Sequence, residues 1–146
     1  TSAKVEGSFG RFSYLESPRK KQIWIAGGIG ITPFVPMIRS FKPDNGYDVV
    51  LYYAVSEKKE AVFIELFSNL STRLLNFRTT IVQTKSQGRL TAIQISEQIK
   101  DFRDRDIFVC GPPSMMKSLR EQFNKLGTSK KLSFTVAYFF IYISIS

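Results

Sequence analysis

No histidine occurs in the 146 residues, and cysteine occurs once. The first absence removes Ser-His and Cys-His nucleophile pairs and imidazole-ligated metal sites, so no metal is expected. The second excludes an internal disulfide and suits a reducing compartment. Long apolar runs are missing too: no stretch reaches the roughly 18–20 residues of a membrane span. The N-terminus has no apolar core of a secretory signal. Thr1 stands where Met is usual, so the chain is expected to be a piece of something longer. Acidic residues are scarce, 12 against 21 basic ones, for a net charge of +9. That balance favours anionic partners: a phosphorylated cofactor, an acidic membrane surface or nucleic acid. No RNP, zinc-finger or helix-turn-helix signature accompanies the charge, which argues against nucleic acid.

What is present is a globular composition, 43% hydrophobic and 23% charged, with enough chain for a substantial core. One stretch stands out. Ile23-Trp24-Ile25-Ala26 reads as a buried strand, and Gly27-Gly28-Ile29-Gly30-Ile31-Thr32-Pro33 follows it. Thr32 is a good N-cap and Pro33 suits the first helical position. Phe34, Met37, Ile38 and Phe41 then recur at helical spacing. A strand, a Gly-rich turn and a helix start together make an anion site, because free backbone N–H groups face the turn. Gly27, Gly28, Gly30, Ile31, Thr32 and Pro33 are therefore candidate pyrophosphate ligands. The G-x-G-x-x-G fingerprint is incomplete, since Pro33 occupies the third glycine position. The competing reading is a tight turn that merely needs small residues.

Further along, Asp48 to Val55, Phe77 to Gln83 and Asp106 to Cys110 read as strands. Glu57 to about Leu75 reads as a helix with Val62, Phe63, Leu66, Phe67 and Leu70 on one face. Ser86–Arg89 reads as a loop, and Thr91 can cap a short helix carrying Ile95, Ile99 and Phe102. Ser114 to Leu126 reads as a helix closed by Gly127, and the start of Leu132 to Ile143 can supply a last strand. Strand and helix alternate four times. The expected fold is three-layer α/β: a five-stranded, mostly parallel sheet with helices on both faces. The boundaries are a lead-in over 1–20, a nucleotide-binding domain over 21–136 and an apolar tail over 137–146. Ligands of such sheets bind at the carboxyl ends of the strands, which brings in the turns at 56–59, 84–89 and 110–116.

Gly27-Gly28-Ile29-Gly30-Ile31-Thr32-Pro33, followed ~80 residues later by Cys110-Gly111-Pro112-Pro113-Ser114-Met115-Met116, resembles the NAD(P)-binding domain of the ferredoxin–NADP reductase superfamily. Val5–Phe12 looks like the end of that superfamily's flavin-binding barrel. Tyr53–Ala61 and Gly88-Arg89-Leu90 look closest to the ferric reductase and NADPH oxidase branch. The resemblance implies the C-terminal nucleotide-binding domain of a membrane flavoprotein. There NADPH (or NADH) passes a hydride to FAD, and electrons continue to haem and then to ferric iron or dioxygen. FAD would be bound mainly by a barrel absent from this chain, and the haem by a membrane domain of the same parent. The fragment itself would be soluble, inactive alone, and placed on the cytoplasmic side of the membrane. The resemblance also implies residue roles. Gly28 to Thr32 would hold the pyrophosphate. Cys110 and Gly111 would place the nicotinamide, with the Cys110 sulfur as a contact near the reacting carbon. Pro112 and Pro113 would stiffen that turn, and Met116 would pack behind it.

Several readings stay open at this stage. A lone cysteine at a strand end is ordinarily a small core residue. Ser56, Lys58 and Lys59 follow the second strand, and Lys85 and Arg89 follow the third. They are candidates for the 2′-phosphate of NADPH, against the reading that such residues are solvated surface. Arg19, Lys20, Lys21, Arg39, Lys100, Arg103 and Arg105 are either lipid-facing or plain surface cations. The rival to a reductase is a non-catalytic module that senses NAD(P) or recruits a partner.

Overall fold

A computed structural model describes residues 13–128 and 134–136. The expectations for residues 5–12 and for the apolar tail over 137–146 lie outside the described residues. Five strands form one parallel sheet: β1 (Lys21–Gly27), β2 (Asp48–Val55), β3 (Phe77–Gln83), β4 (Asp106–Cys110) and the short β5 (Phe134–Val136). Their spatial order is β3-β2-β1-β4-β5. The register aligns Gly27 with Ala54 and Ala26 with Cys110, so β1, β2 and β4 end level with one another.

The central strands are buried on both faces, and alternate residues choose opposite sides. Trp24 and Ala26, Leu51 and Tyr53, and Phe108 and Cys110 face one cluster, with Phe34, Met37 and Ile38 of α1 (Phe34–Arg39) and Phe67 of α2 (Ile64–Arg73). Ile23 and Ile25, Val50 and Tyr52, and Ile107 and Val109 face the other. There α4 (Ala92–Gln98) and α5 (Pro113–Lys125) cover the sheet through Ile95, Leu119 and Phe123. A one-turn helix, α3 (Thr84–Gln87), replaces the expected loop after β3. Thr91 caps α4 with a full capping box through Gln94. Gly127 leaves α5 at φ 77°. Among the described residues, no helix is long and apolar enough to cross a membrane.

Three local expectations are corrected. The helix expected from Glu57 splits into a 3-10 turn at Lys58–Glu60 and α2, because Phe63 adopts φ 61° and breaks the run. Val62 and Phe63 consequently project outward, 52% and 41% exposed, instead of joining the core face. Thr32 is not an N-cap: it is itself helical, at φ −56° and ψ −45°. Its hydroxyl donates backward to the Ile29 carbonyl at 2.8 Å. Pro33 therefore sits one position before α1 rather than inside it.

The lead-in is part of the domain's structure from Ser13 onward. Tyr14 is buried against Trp24, Phe41 and Tyr47. At the amino ends of the strands, Asp106 accepts hydrogen bonds from the Ser17 hydroxyl and, at 3.3 Å, from the Arg19 amide. Arg105 was read as a surface cation. It is instead 3% exposed and donates to Asp48 at 2.8 Å and to Asp101 at 2.9 Å. A buried guanidinium needs such partners, since an unpaired one is costly.

Candidate functional site

Strand order reverses beside β1: β2 lies on one side of it and β4 on the other. After β1 the chain turns to α1 on one face, and after β4 it turns to α5 on the opposite face. The two exits diverge, and a crevice opens beyond the strand ends. A cleft of about 510 Å³ occupies it, within the size range of small-molecule sites. Its lining runs from the end of β4 (Pro112, Met115) past the β1 turn (Gly27, Gly28, Ile29, Thr32) to the ends of β2 and β3 (Tyr53, Ser56, Thr84), with Glu60 and Val62 at the side.

The two Gly-containing turns touch. A Cβ on Gly30 would overlap the Cys110 carbonyl, and one on Gly111 would come within 3.3 Å of the Gly27 backbone. Gly27 itself lies against the Met115 sulfur. Gly27, Gly30 and Gly111 are thus glycine because two chain segments and a methionine pack there. Gly28 differs. It has φ 55°, is exposed, and a Cβ there would meet nothing within 4 Å. It is the one glycine of the turn whose backbone is open to a ligand in the cleft.

Of the expected ligands, Gly27, Gly28, Thr32, Ser56 and Pro112 line the cleft. Ile31 and Pro33 are buried in the domain instead, and Gly30 and Gly111 form the joint below the cleft floor. Pro113 opens α5 on the surface, and Met116 is buried in the cluster beneath that helix. Cys110 departs from the expectation of a contact near the reacting carbon. Its side chain is fully buried in the α1-side cluster and does not line the cleft. Burial pushes its thiol up to about 12, so it stays protonated and is no nucleophile at neutral pH.

The cations follow no common pattern. Lys58 and Arg89 are exposed and are not among the residues lining the cleft. Lys85 is engaged: its ammonium lies 2.7 Å from Glu57 Oε1, while Lys59 lies 3.2 Å from Glu57 Oε2. These hydrogen bonds, Lys85's first, hold the Glu57 carboxyl below the usual carboxylate range.

Sequence reasoning marked the turn at 84–89 but missed Met115, Tyr53, Glu60 and Val62. For Met115 the signal was the choice between adjacent methionines, which only the phase of α5 resolves. Tyr53 is buried, and its hydroxyl accepts from the Val62 amide at 3.2 Å, pinning the segment after the 3-10 turn. The lining thus offers backbone, hydroxyls, one carboxylate and apolar surface. It contains no imidazole and no reactive thiol. That donor set suits the binding of a polyhydroxylated, phosphorylated ligand.

Residues 24–121 match the oxidoreductase NAD-binding domain family. The chain belongs to that family. Within it, this NAD-binding domain is similar to the glycine betaine monooxygenase reductase subunit of Chromohalobacter salexigens, with 25% identity covering 84% of this chain and 36% of the relative. It is 32% identical to the 2-halobenzoate 1,2-dioxygenase electron transfer component of Burkholderia cepacia, over 79% of this chain and 36% of that one. The chain therefore spans about a third of the length of these curated relatives. Its fold matches the FAD/NAD-binding domain of nitric oxide dioxygenase from Vibrio cholerae, at TM-score 0.65, with 23% identity covering 84% of this chain and 51% of that one. The domain is thus of the ferredoxin reductase superfamily. The two named relatives are reductase components of oxygenase systems. They carry the superfamily and not the ferric reductase branch.

Proposed function

We propose that the chain is the dinucleotide-binding half of an NAD(P)H-dependent flavin reductase, with its cleft holding the nicotinamide dinucleotide. The observation that carries this reading is the joint between the β1 and β4 turns, with Gly28 open above it at the point where strand order reverses. The residues present fit such a ligand. Gly28, with φ 55° and open space above it, allows close backbone approach to a pyrophosphate. The Thr32 hydroxyl, which donates to the Ile29 carbonyl at 2.8 Å, can swing its single donor to a phosphate oxygen instead. Pro112 and Met115 border the nicotinamide end. Ser56 and Thr84 border the adenosine end, with Lys58, Lys85 and Arg89 outside them. Cys110 acts from behind, as packing under the β4 turn that sets its height. The bound cofactors supply hydride chemistry, from nicotinamide to flavin; the chain supplies position and dryness. FAD would sit mainly on a barrel outside this chain.

Two destinations for the electrons remain in play, each with its own support. The segments Tyr53–Ala61 and Gly88–Leu90 favour a membrane parent with haem and a ferric or oxygen acceptor, with this domain on the cytoplasmic side. The named relatives favour an oxygenase partner. Titration of the chain with NADP+ and NAD+ by calorimetry tests the binding reading, and no heat from either overturns it. In the parent protein, NADPH-driven bleaching of the flavin followed by haem reduction supports the membrane reading. Flavin bleaching without any haem signal favours the oxygenase reading. Binding with no flavin reduction would leave the non-catalytic sensor.

A further inference from the structure

The ends of β2 and β3 are cross-linked beside the adenosine end of the cleft. The Lys85 amide donates to the Ser56 carbonyl at 3.2 Å, the Thr84 hydroxyl to the Val55 carbonyl at 3.3 Å, and the Lys58 amide to Gln83 Oε1 at 3.0 Å. Ser56 and Thr84 both line the cleft. Their chain neighbours, Glu57 and Lys85, are therefore held together at its rim. Glu57 divides its two oxygens between Lys85 and Lys59, at 2.7 and 3.2 Å. The sequence offers Lys59 and Lys85 here, among other cations, for a phosphate. The structure places a carboxylate between them, and the trio carries a single net positive charge.

We infer that Glu57 sets the discrimination between NADH and NADPH, by holding Lys59 and Lys85 in ion pairs for which the 2′-phosphate of NADPH must compete. This rests on the reading of the cleft as a dinucleotide site. A ribose 2′-hydroxyl is neutral and can donate to a carboxylate; a 2′-phosphate brings about −1.5 to −2 charges against it. The phosphate can draw the lysines away, because exposed lysine pairs are weak and the ammonium swivels freely. Glu57 then remains beside it as an unpaired like charge. The lysines alone would favour NADPH, and Glu57 offsets that preference.

The test uses the full chain and measures dissociation constants for NADP+ and NAD+ by calorimetry at low salt, for wild type, Glu57→Gln and Lys85→Met. Glu57→Gln is expected to raise the NADP+/NAD+ affinity ratio about two- to fivefold, the scale of an exposed charge interaction. The gain should shrink as salt rises, as screening demands. Lys85→Met should lower NADP+ affinity and leave NAD+ affinity unchanged. Glu97→Gln, which removes an exposed carboxylate on α4 outside the cleft, should leave the ratio unchanged within about twofold. Binding of both nucleotides with a ratio unmoved by Glu57→Gln overturns the inference alone. Failure of both to bind wild type overturns the dinucleotide reading and the inference with it.

Discussion

At Gly30 a single hydrogen separates the β1 turn from the Cys110 carbonyl. Gly30→Ala forces backbone against backbone, so the expected cost is about 1–3 kcal/mol or more by overpacking. Gly28→Ala has room for its methyl but must hold φ 55°, a strain of about 1–2 kcal/mol. Urea melts of the two variants should show Gly30→Ala the less stable; the reverse order would sink the packing account of that glycine. Both variants should weaken dinucleotide binding, one by shifting the turn and the other by crowding the ligand. Cys110 makes a second residue-scale prediction. Because its thiol is buried and held protonated near pKa 12, a thiol reagent should label the folded chain far more slowly than the urea-unfolded chain. Cys110→Ser places a hydroxyl in the α1-side cluster, and thermal melts should register a loss of about 1–3 kcal/mol. The glycines were visible in the sequence as a group. Which one faces ligand and which face protein was not, because that depends on the approach of a turn ~80 residues away.

At the scale of elements, the strands were the most legible. The continuous apolar runs of β2 and β4 allowed one reading only, and their ends follow from the Gly and charged residues that bound them. Helix starts were less legible. Thr32-Pro33 carries the chemistry of a cap, yet Thr32 belongs to the preceding 3-10 turn. A tight β1–α1 connection leaves no extended residue in which a cap side chain could reach forward. Phe63 sits on an apolar stripe, but the Tyr53–Val62 hydrogen bond holds the segment before it in a shape that a helix would break. The amino edge of the sheet yields a pH prediction. Asp106 is fully buried, with one oxygen lacking a hydrogen bond, and burial raises its pKa above the ordinary 3.8. Its protonated form is thus favoured by folding. The stability it adds is complete below 3.8 and is lost as pH rises through the raised folded value. Asp101 works in the opposite sense. Its bond to Arg105 lowers its pKa, so its contribution is lost only as pH falls below the ordinary carboxylate range. Wild-type Tm is expected to gain from Asp106 as pH falls through its raised value, and Asp106→Asn should remove that gain. A variant that keeps the full wild-type slope would show that Asp106 is not the titrating group.

For the whole molecule, the decisive feature is the level ending of β1, β2 and β4 around a reversal of strand order. It turns three separate loops into one cleft whose lining spans residues 27 to 115. In the flavin reductase proposed above, function at this scale would also depend on how a flavin-binding barrel meets this domain. Tyr14, Ser17 and Arg19 are tied into the core and to Asp106, so the segment leading in has a set path across the sheet edge. In the parent protein, Ser17→Ala with Arg19→Ala should loosen that path. The expected result is slower flavin reduction by NADPH at saturating cofactor, with the dinucleotide dissociation constant unchanged, read by stopped flow. An equal loss in binding would place the effect in the cleft itself.

Composition and local pattern determined the class of this protein. The absence of histidine removed whole chemistries. The alternation of apolar strands with amphipathic helices left a parallel three-layer sheet as the consistent solution, because buried strands and one-sided helices can satisfy each other in few ways. Tertiary structure alone decided which residues meet. Gly30 faces Cys110, Met115 faces Gly27, Cys110 turns inward, and Glu57 lies between Lys59 and Lys85. Contacts between residues far apart in the chain depend on register, helix phase and the crossing of loops, and none of these is written in a local window. The cleft is built of such contacts, and so is the charge that a ligand entering it would feel.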